Sequence, residues 1–469
     1  MIKNYIRITL RNLKRHPGFS FINISGLATG MAAFVLIVLF IQNERSFDQH
    51  NEHAQNVYQV ILDAAVAGQE FLTSSSPAVM ATKFQEDFPE IEAAVRINAY
   101  SSDALVTVGE TPYYEAGFVM ADSSLFDVFT IPFLAGDPAT ALNMPNTMVI
   151  SETIARKYFG NSDPIGQTVR HDNRNDYEIT GVFADLPQTS FFRPEVIASF
   201  LTSERWNDQI WLNNSFNTFI RLSDGSNSEA LKAKFPDFLR TYVGPQIEQF
   251  TGMPYDEALS SGIRYQWDLE RLSEIYLYSK AQDQIGPTGD IRYLYILGII
   301  ALIVLTIACI NFMNLSTARA TGRAREVGIR KTLGSERGQL IRQFLGESIT
   351  MSLISMVIAF ALVLLLLPVF ANVLDAHLSI EPWLPAVILG VALLTGVVAG
   401  LYPAFVLSGF EPALVLKGSF SSSRSGTWLR SSLVVFQFGI SVVLLVGTTV
   451  VYKQLDFIQN RDVGFNKDH

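Results

Sequence analysis

The sequence predicts a membrane protein: an α-helical transmembrane bundle with a large α+β extracytoplasmic domain inserted between the first and second spans. Three observations predict this. Five stretches are long and apolar enough to cross a bilayer, the interval between the first two is polar and acidic, and basic residues gather in the remaining loops. Of 469 residues, 49% are hydrophobic and 17% charged. A soluble domain is about a quarter charged. The shortfall is uneven: residues 43–290 read as ordinary soluble protein, and long apolar runs stand before and after them.

A helix rises 1.5 Å per residue, so about 20 apolar residues cross the hydrocarbon core. The stretches that qualify are 21–41, 293–313, 348–370, 384–406 and 433–451, and none carries a charge in its interior. The first has a basic front, as a signal peptide has. Its apolar run is a full span long, however. It passes into Gln42, Asn43, Glu44 and Arg45 with no small-x-small cleavage pattern, so it reads as an uncleaved anchor.

Lysine and arginine set the orientation. Residues 1–20 hold five basic and no acidic residues, 315–344 hold seven basic against Glu326 and Glu336, and 407–430 hold three against Glu411. If the helices alternate, these lie on one side. Residues 43–290 hold 35 acidic and 16 basic residues, and 371–382 hold no lysine or arginine. The basic loops are therefore expected in the cytoplasm of a bacterium and the acidic domain outside its inner membrane, with the amino terminus inside. The chain divides into a cytoplasmic amphipathic helix 1–18, a span 19–42, an outer domain 43–290, a span 291–314, a cytoplasmic segment 315–344, two spans in 345–406, a cytoplasmic loop 407–430, a span 431–452, and the start of a second outer domain at 453–469. The net charge of −9 argues against nucleic acid as a partner, which needs a basic footprint. The lipid bilayer is the partner that the spans require.

Lys3, Arg7, Arg11 and Lys14 share one helical face, with Arg15 at its margin and Ile2, Ile6, Leu10 and Leu13 opposite. Such a helix lies in the membrane interface, as a plain anchor or in a more specific role. Pro17 and Gly18 then end it. In the segment 315–344, Arg323, Glu326 and Arg330 fall on one helical face, Val327 and Ile329 interrupt the charges, and Leu333 precedes Gly334, a helix stop. Read from its residues, this is either a short helix that docks on a partner or a charged stop-transfer loop.

Within the outer domain we expect helices at 77–88, 151–159 and 228–242, and strands at 57–64, 147–150, 177–183, 217–222 and 263–269. The single cysteine, Cys309, lies in a span, so no intramolecular disulfide is possible and the domain must be held by its core. No catalytic set is visible. His50 and His53 beside Asp48 could suggest a metal, but their hydrophilic setting reads as solvated surface, and no metal site is expected. Gly26 with Gly30, and Gly396 with Gly400, have the small-xxx-small spacing that lets helices approach closely in lipid; glycine is also simply common in spans. Asn311 and Asn314 are placed to bond a neighbouring helix or to reach headgroups. Glu347, at the mouth of the third span, is expected to face water or an arginine.

The segment REVGIRKTLGS (325–335) resembles the coupling-helix motif of permeases of the macrolide-exporter and lipoprotein-release type, the MacB/FtsX family. Other segments agree in order: QFLGE (343–347) with the entry to that family's third span, AGLYPA (399–404) with the end of its fourth, LERLSEIYL (269–277) with the last strand of its outer domain, and FQFGISVVLL (436–445) with a fifth span that opens a second half. DSSLFDVF (122–129) and DPIGQ (163–167) are similar to outer-domain segments. The resemblance implies an outer domain of two lobes, the second inserted near 185–265. It implies an ABC-type complex in which a separate cytoplasmic ATPase dimer, holding the ATP and magnesium, docks on Arg323, Arg325, Glu326, Val327, Gly328, Ile329, Arg330, Lys331, Leu333 and Gly334. It also implies a second permease half or copy and allows a periplasmic adaptor. No G-x-x-x-x-G-K-[ST] loop occurs, so this chain is not expected to be an enzyme and binds no cofactor of its own. The fifth span points to a tandem protein whose second half begins there; a five-span protein is the alternative. A membrane-anchored extracytoplasmic sensor without an ATPase is the competing function. A membrane-bound hydrolase is disfavoured by the missing catalytic set.

Overall fold

The computed structural model describes residues 11, 15, 17–66, 68–99, 103–318, 320–374, 376, 378, 380, 382–409 and 424–460. It divides into a membrane unit, 1–41 with 295–469, and an outer unit, 42–294.

Helix α1 (Pro17–Arg45) leads into the outer unit. There the described strands are β1 (Val57–Val66), β2 (Gln69–Thr73), β3 (Ser75–Pro77), β4 (Ile91–Ala99), β5 (Ala104–Val108), β6 (Thr111–Glu115), β7 (Phe118–Ala121), β8 (Phe133–Gly136), β9 (Thr147–Ser151), β10 (Thr168–His171), β11 (Asn175–Phe183), β12 (Val196–Ser199), β13 (Asn214–Leu222) and β14 (Arg264–Arg271). They form one sheet in the order β14-β1-β13-β4-β7-β12-β9-β11-β10-β5-β6, with β2, β3 and β8 attached to β1, β13 and β11. The pairs β9–β11 and β7–β12 are parallel and the others antiparallel, so the domain is α+β. Its helices are α2 (Met80–Asp87), α3 (Leu125–Val128), α4 (Glu152–Phe159), α5 (Ser228–Lys232), α6 (Phe235–Tyr242), α7 (Gly244–Thr251), α8 (Tyr255–Ser260) and α9 (Leu272–Tyr278).

Side chains alternate across a strand, and β1 shows the consequence. Tyr58, Val60, Leu62 and Ala64 share one face and join an aromatic core with Phe84, Phe235, Phe238 and Trp267. Val57, of the opposite parity, joins a second core with Phe129, Phe191, Phe219 and Ile275. A third core gathers Phe118, Tyr177, Phe200 and Phe216.

Three expectations are corrected. The helix expected at 228–242 is broken, because Pro236 opens α6 and cannot donate a backbone hydrogen bond to the turn before it. The segment 269–277 is strand only as far as Arg271, and Leu272 begins α9. The stretch 185–265 is no separate lobe: β12 lies between β7 and β9, and β13 lies between β1 and β4, inside the same sheet.

The membrane unit continues with α10 (Ile291–Ala318), α11 (Ala320–Thr332), α12 (Arg337–Leu374), α13 (Leu384–Ser408) and α14 (Arg424–Asn460). Among the described residues, α1, α10, α12, α13 and α14 are long and apolar enough to cross a membrane. Helix α12 has 38 residues. At 1.5 Å each that is about 57 Å, well beyond a hydrocarbon core of about 30 Å, so one part of it stands outside the core. The expected span 348–370 is its middle. Helix α14 runs unbroken past Val451 to Asn460, so the polar stretch expected at 453–469 begins as helix; residues 461–469 lie outside the described ones. A common apolar core takes Leu27, Met31 and Val35 from α1, Leu305 and Phe312 from α10, Met351 and Val363 from α12, and Ile388 and Ala392 from α13.

Candidate coupling site

Gly334 ends α11. It holds φ +93°, a conformation that glycine adopts without strain. The Ser335 N–H donates to the Arg330 carbonyl at 3.0 Å and the Gly334 N–H to the Lys331 carbonyl at 3.1 Å, the paired bonds of a Schellman helix end. The chain then enters α12 at Arg337.

Helix α11 has two faces of different character. Val327 is 2% exposed and packs among Leu340 and Phe344 of α12 and Ala404 and Leu407 of α13. Gly328 is buried beside it. Ile329 and Leu333, one turn apart, are 47% and 82% exposed. The expected pairing of Val327 with Ile329 as apolar contacts therefore divides: Val327 is an anchor within the chain, and Ile329 is free to meet something else. Arg330 reaches both ways. Its Nη2 donates to Glu326 Oε1 at 2.7 Å along the helix, and its Nη1 donates to Gln343 Oε1 at 2.7 Å on α12. Gln343 Nε2 in turn donates to Glu347 Oε1 at 3.4 Å. Glu347 is 4% exposed, so it does not face water; it is linked to an arginine through one amide. Lys331 is half-buried. Arg323 and Arg325 lie within α11, their side chains outside the described residues.

Of the partners on α12, Gln343, Phe344 and Glu347 stand in the QFLGE segment, and what the sequence reading does not foresee is their packing against α11, although a signal exists. Leu340, Gln343, Phe344 and Glu347 are spaced i, i+3, i+4, i+7, the stripe of one helical face, just before the apolar run begins. Of the amino-terminal basic face, Lys3, Arg7 and Lys14 lie outside the described residues; Arg11 and Arg15 are helical and exposed.

The four small residues of the spans sit at close approaches. A Cβ on Gly30 would come within 2.5 Å of the Ala308 Cβ, and one on Gly26 within 3.2 Å of Asn311 Nδ2, so α1 lies close against α10. A Cβ on Gly396 would come within 2.8 Å of the Ile349 Cα, and one on Gly400 within 2.7 Å of Ser348, so α13 lies close against α12. Ser352 Oγ donates to the Ala392 carbonyl at 2.7 Å across that pair. The Asn314 Oδ1 is buried without a hydrogen-bond partner among the described residues.

Within the outer unit, Asp48 corrects the solvated reading. It takes a left-handed φ of 58° immediately after α1 and is 2% exposed. Its Oδ1 accepts from the Phe191 N–H at 3.0 Å, and its own N–H donates to the Thr189 carbonyl at 2.8 Å. Burial pushes its carboxyl up to about 7, against the opposing pull of the Phe191 bond. Burial likewise lowers His50. Among the described residues no three His, Cys, Asp or Glu side chains are grouped to hold a metal. Nearby, the Phe47 and Tyr276 rings stack at 3.4 Å, the Tyr276 hydroxyl donates to Glu44 at 2.6 Å, and the Gly289 N–H donates to the Tyr276 carbonyl at 2.7 Å. One residue thus ties the segment where the chain enters the domain to the segment where it leaves.

Two family models match, in order along the chain. The MacB-like periplasmic core domain covers residues 20–238, and the FtsX-like permease C-terminal domain covers 298–412. An uncharacterised ABC transporter permease of Bacillus subtilis, YknZ, is 24% identical over 74% of this chain and 82% of its own length. A second from the same organism, YvrN, is 23% identical over 88% of this chain and 99% of its own. The macrolide export ATP-binding/permease protein MacB 2 of Aeromonas hydrophila is 22% identical over 87% of this chain and 60% of its own length. Among solved structures, the periplasmic region of MacB from Actinobacillus actinomycetemcomitans aligns over 47% of this chain and 91% of its own, at 14% identity and a TM-score of 0.32, a likeness too faint to carry weight. With a periplasmic core domain followed by a permease domain, and with relatives of the same kind along most of its length, the chain is an inner-membrane ABC transporter permease of the MacB/FtsX type.

Proposed function

We propose that this chain is the transmembrane subunit of a mechanotransmission or export complex, and that it couples ATP hydrolysis by a separate cytoplasmic ATPase dimer to movement of its periplasmic domain. The observation that carries the reading is the division of α11. Val327 is anchored among α12 and α13, while Ile329 and Leu333 present an apolar pair to solvent beside charged neighbours. An exposed apolar knob rimmed by charge is the surface of a docking helix. The amino terminus and the basic loops lie in the cytoplasm, where α11 meets the ATPase, and ATP with its magnesium belongs to that partner. Tyr276 supports the outward half of the reading, because it bonds the two ends of the domain to one another. A second permease half or a second copy completes the membrane part, and a periplasmic adaptor extends it. The relative named for macrolide export supports transport as the outcome.

Co-purification tests the reading. The chain is expressed with candidate ATPase subunits and isolated in detergent, beside an Ile329→Asp, Leu333→Asp double variant. Wild type is expected to retain an ATPase and the variant to lose it at unchanged yield. If wild type retains none, or both retain it equally, α11 is not the coupling element and the extracytoplasmic sensor becomes the better account.

A further inference from the structure

We propose that Arg330 is a positioning residue: acting through Gln343 on the buried Glu347, it straps α11 to α12, so that the face carrying Ile329 and Leu333 moves with the third span. This deepens the coupling reading and rests on it. Helix α11 has 13 residues. A helix of that length is marginal alone and takes its orientation from what it packs against. Two contacts among the described residues bear on it. Val327 sits in an apolar notch, which holds a helix close but leaves it free to rotate, because apolar contact has no direction. Arg330 supplies direction.

The linking residue has two chemically different ends. The Gln343 Oε1 accepts from the guanidinium at 2.7 Å, and its Nε2 donates to the Glu347 carboxylate. Turning the amide over would set its NH2 against the arginine and its oxygen against the carboxylate, so the two charges hold it in one orientation. Exposure falls along the chain, from an Arg330 side chain 31% exposed to the enclosed Gln343 and Glu347. A carboxylate so enclosed is costly unless hydrogen bonds and positive charge compensate it, and the strap contributes both. The Glu326 pair differs in kind. It lies within one helix, where such pairs contribute a few tenths of a kcal/mol, and it ties α11 to nothing else. Arg337 Nε to Ser408 Oγ, at 3.4 Å, links α12 to α13 at the same corner.

The single cysteine makes the test direct. In the full chain with Cys309→Ala, a nitroxide is attached at Ile329→Cys, and its rotational correlation time is read in lipid nanodiscs without any ATPase. Arg330→Met and Gln343→Leu are each expected to shorten that time several-fold, and the double variant to shorten it no further than either single change. Arg330→Lys should restore part of the order, since it keeps the charge with fewer donors. Glu326→Gln should leave the spectrum unchanged, and thermal unfolding of the outer domain should not move in any variant. The strap is overturned if Arg330→Met leaves the label as ordered as before, if the two single effects add, or if Glu326→Gln loosens the label equally. Should Arg330→Met fail to insert, Gln343→Leu decides alone. Because no ATPase is present, an overturned strap leaves the co-purification result standing, and a failed co-purification leaves the strap standing.

Discussion

The outer unit buries paired charges, and the spans of the membrane unit bury mostly neutral polar groups instead. In the outer unit, charge is met by charge. Arg96 grips Asp122 through Nε and Nη2 at 2.8 and 2.7 Å, while its Nη1 bonds the Ala78 and Trp206 carbonyls. The enclosed Glu115 is met by Lys157 and by the Tyr158 hydroxyl, both at 2.8 Å. In the membrane unit, polar side chains turn mostly to backbone. Ser348 and Ser355 bond the carbonyls of Phe344 and Met351 one turn back, and Ser352 bonds Ala392 across the helix pair. Closeness there is set by glycine rather than by charge. The corner where α11 meets α12 belongs to the membrane unit yet uses the chemistry of the outer one. That exception marks it as a place where orientation, and not only proximity, is held.

The largest expected effect breaks the outer-unit rule. Arg96→Met leaves Asp122 enclosed without its cation, which costs about 3–5 kcal/mol. Denaturant unfolding of the full chain, followed by tryptophan fluorescence, reads it; a loss below 1 kcal/mol would show that the outer unit does not depend on paired charge.

Asp48 sharpens the comparison from the other side, as an outer-unit carboxylate held by backbone alone. Its folded value, about 7, lies above its ordinary 3.8, so between those limits the folded chain binds the proton more tightly than the unfolded chain. Stability at this site is therefore full in acid and falls as pH rises through about 7. Asp48→Asn keeps the Phe191 acceptor and tolerates the left-handed φ. It is expected to stabilise the protein at pH 8 by up to about 4 kcal/mol, with the gain fading towards pH 4. Melting curves of both proteins across that range read the difference, and a constant gap would contradict the assignment.

Gly30→Leu tests closeness. Its side chain meets Ala308, and overpacking of this kind costs about 1–3 kcal/mol. Gly390→Ala, with nothing within 4 Å of the new Cβ, is the control and should be neutral or mildly favourable in detergent melting. The smallest effect is expected at Arg170→Ala, whose pair with Asp176 is exposed on both sides and should leave unfolding unmoved.

Much of this was legible in the sequence, for identifiable reasons. Spans are visible because burial in lipid requires unbroken apolar length, and all five lie where hydropathy places them. Strands such as Asn175–Phe183 show through alternation. Chain reversals and the strand order were not legible, since β12 and β13 enter the sheet through pairings distant in sequence. In the candidate site, the Gly334 stop and the shared face of Glu326 and Arg330 were visible. The division of α11 was not, because Val327 and Ile329 are both branched and apolar, and only the notch of Leu340, Phe344, Ala404 and Leu407 decides which one is buried. Asp48 misled because its neighbours are hydrophilic, while its burial comes from the 189–192 loop, far away in sequence.

The central claim is that α11 turns Ile329 and Leu333 towards an ATPase and Val327 towards its own spans. A photo-activatable residue placed singly at 327, 329 or 333 in the assembled complex tests it most directly. The account predicts cross-links to the ATPase subunit from 329 and 333 and none from 327. Cross-links from 327, or from none of the three while the ATPase remains bound, would contradict it.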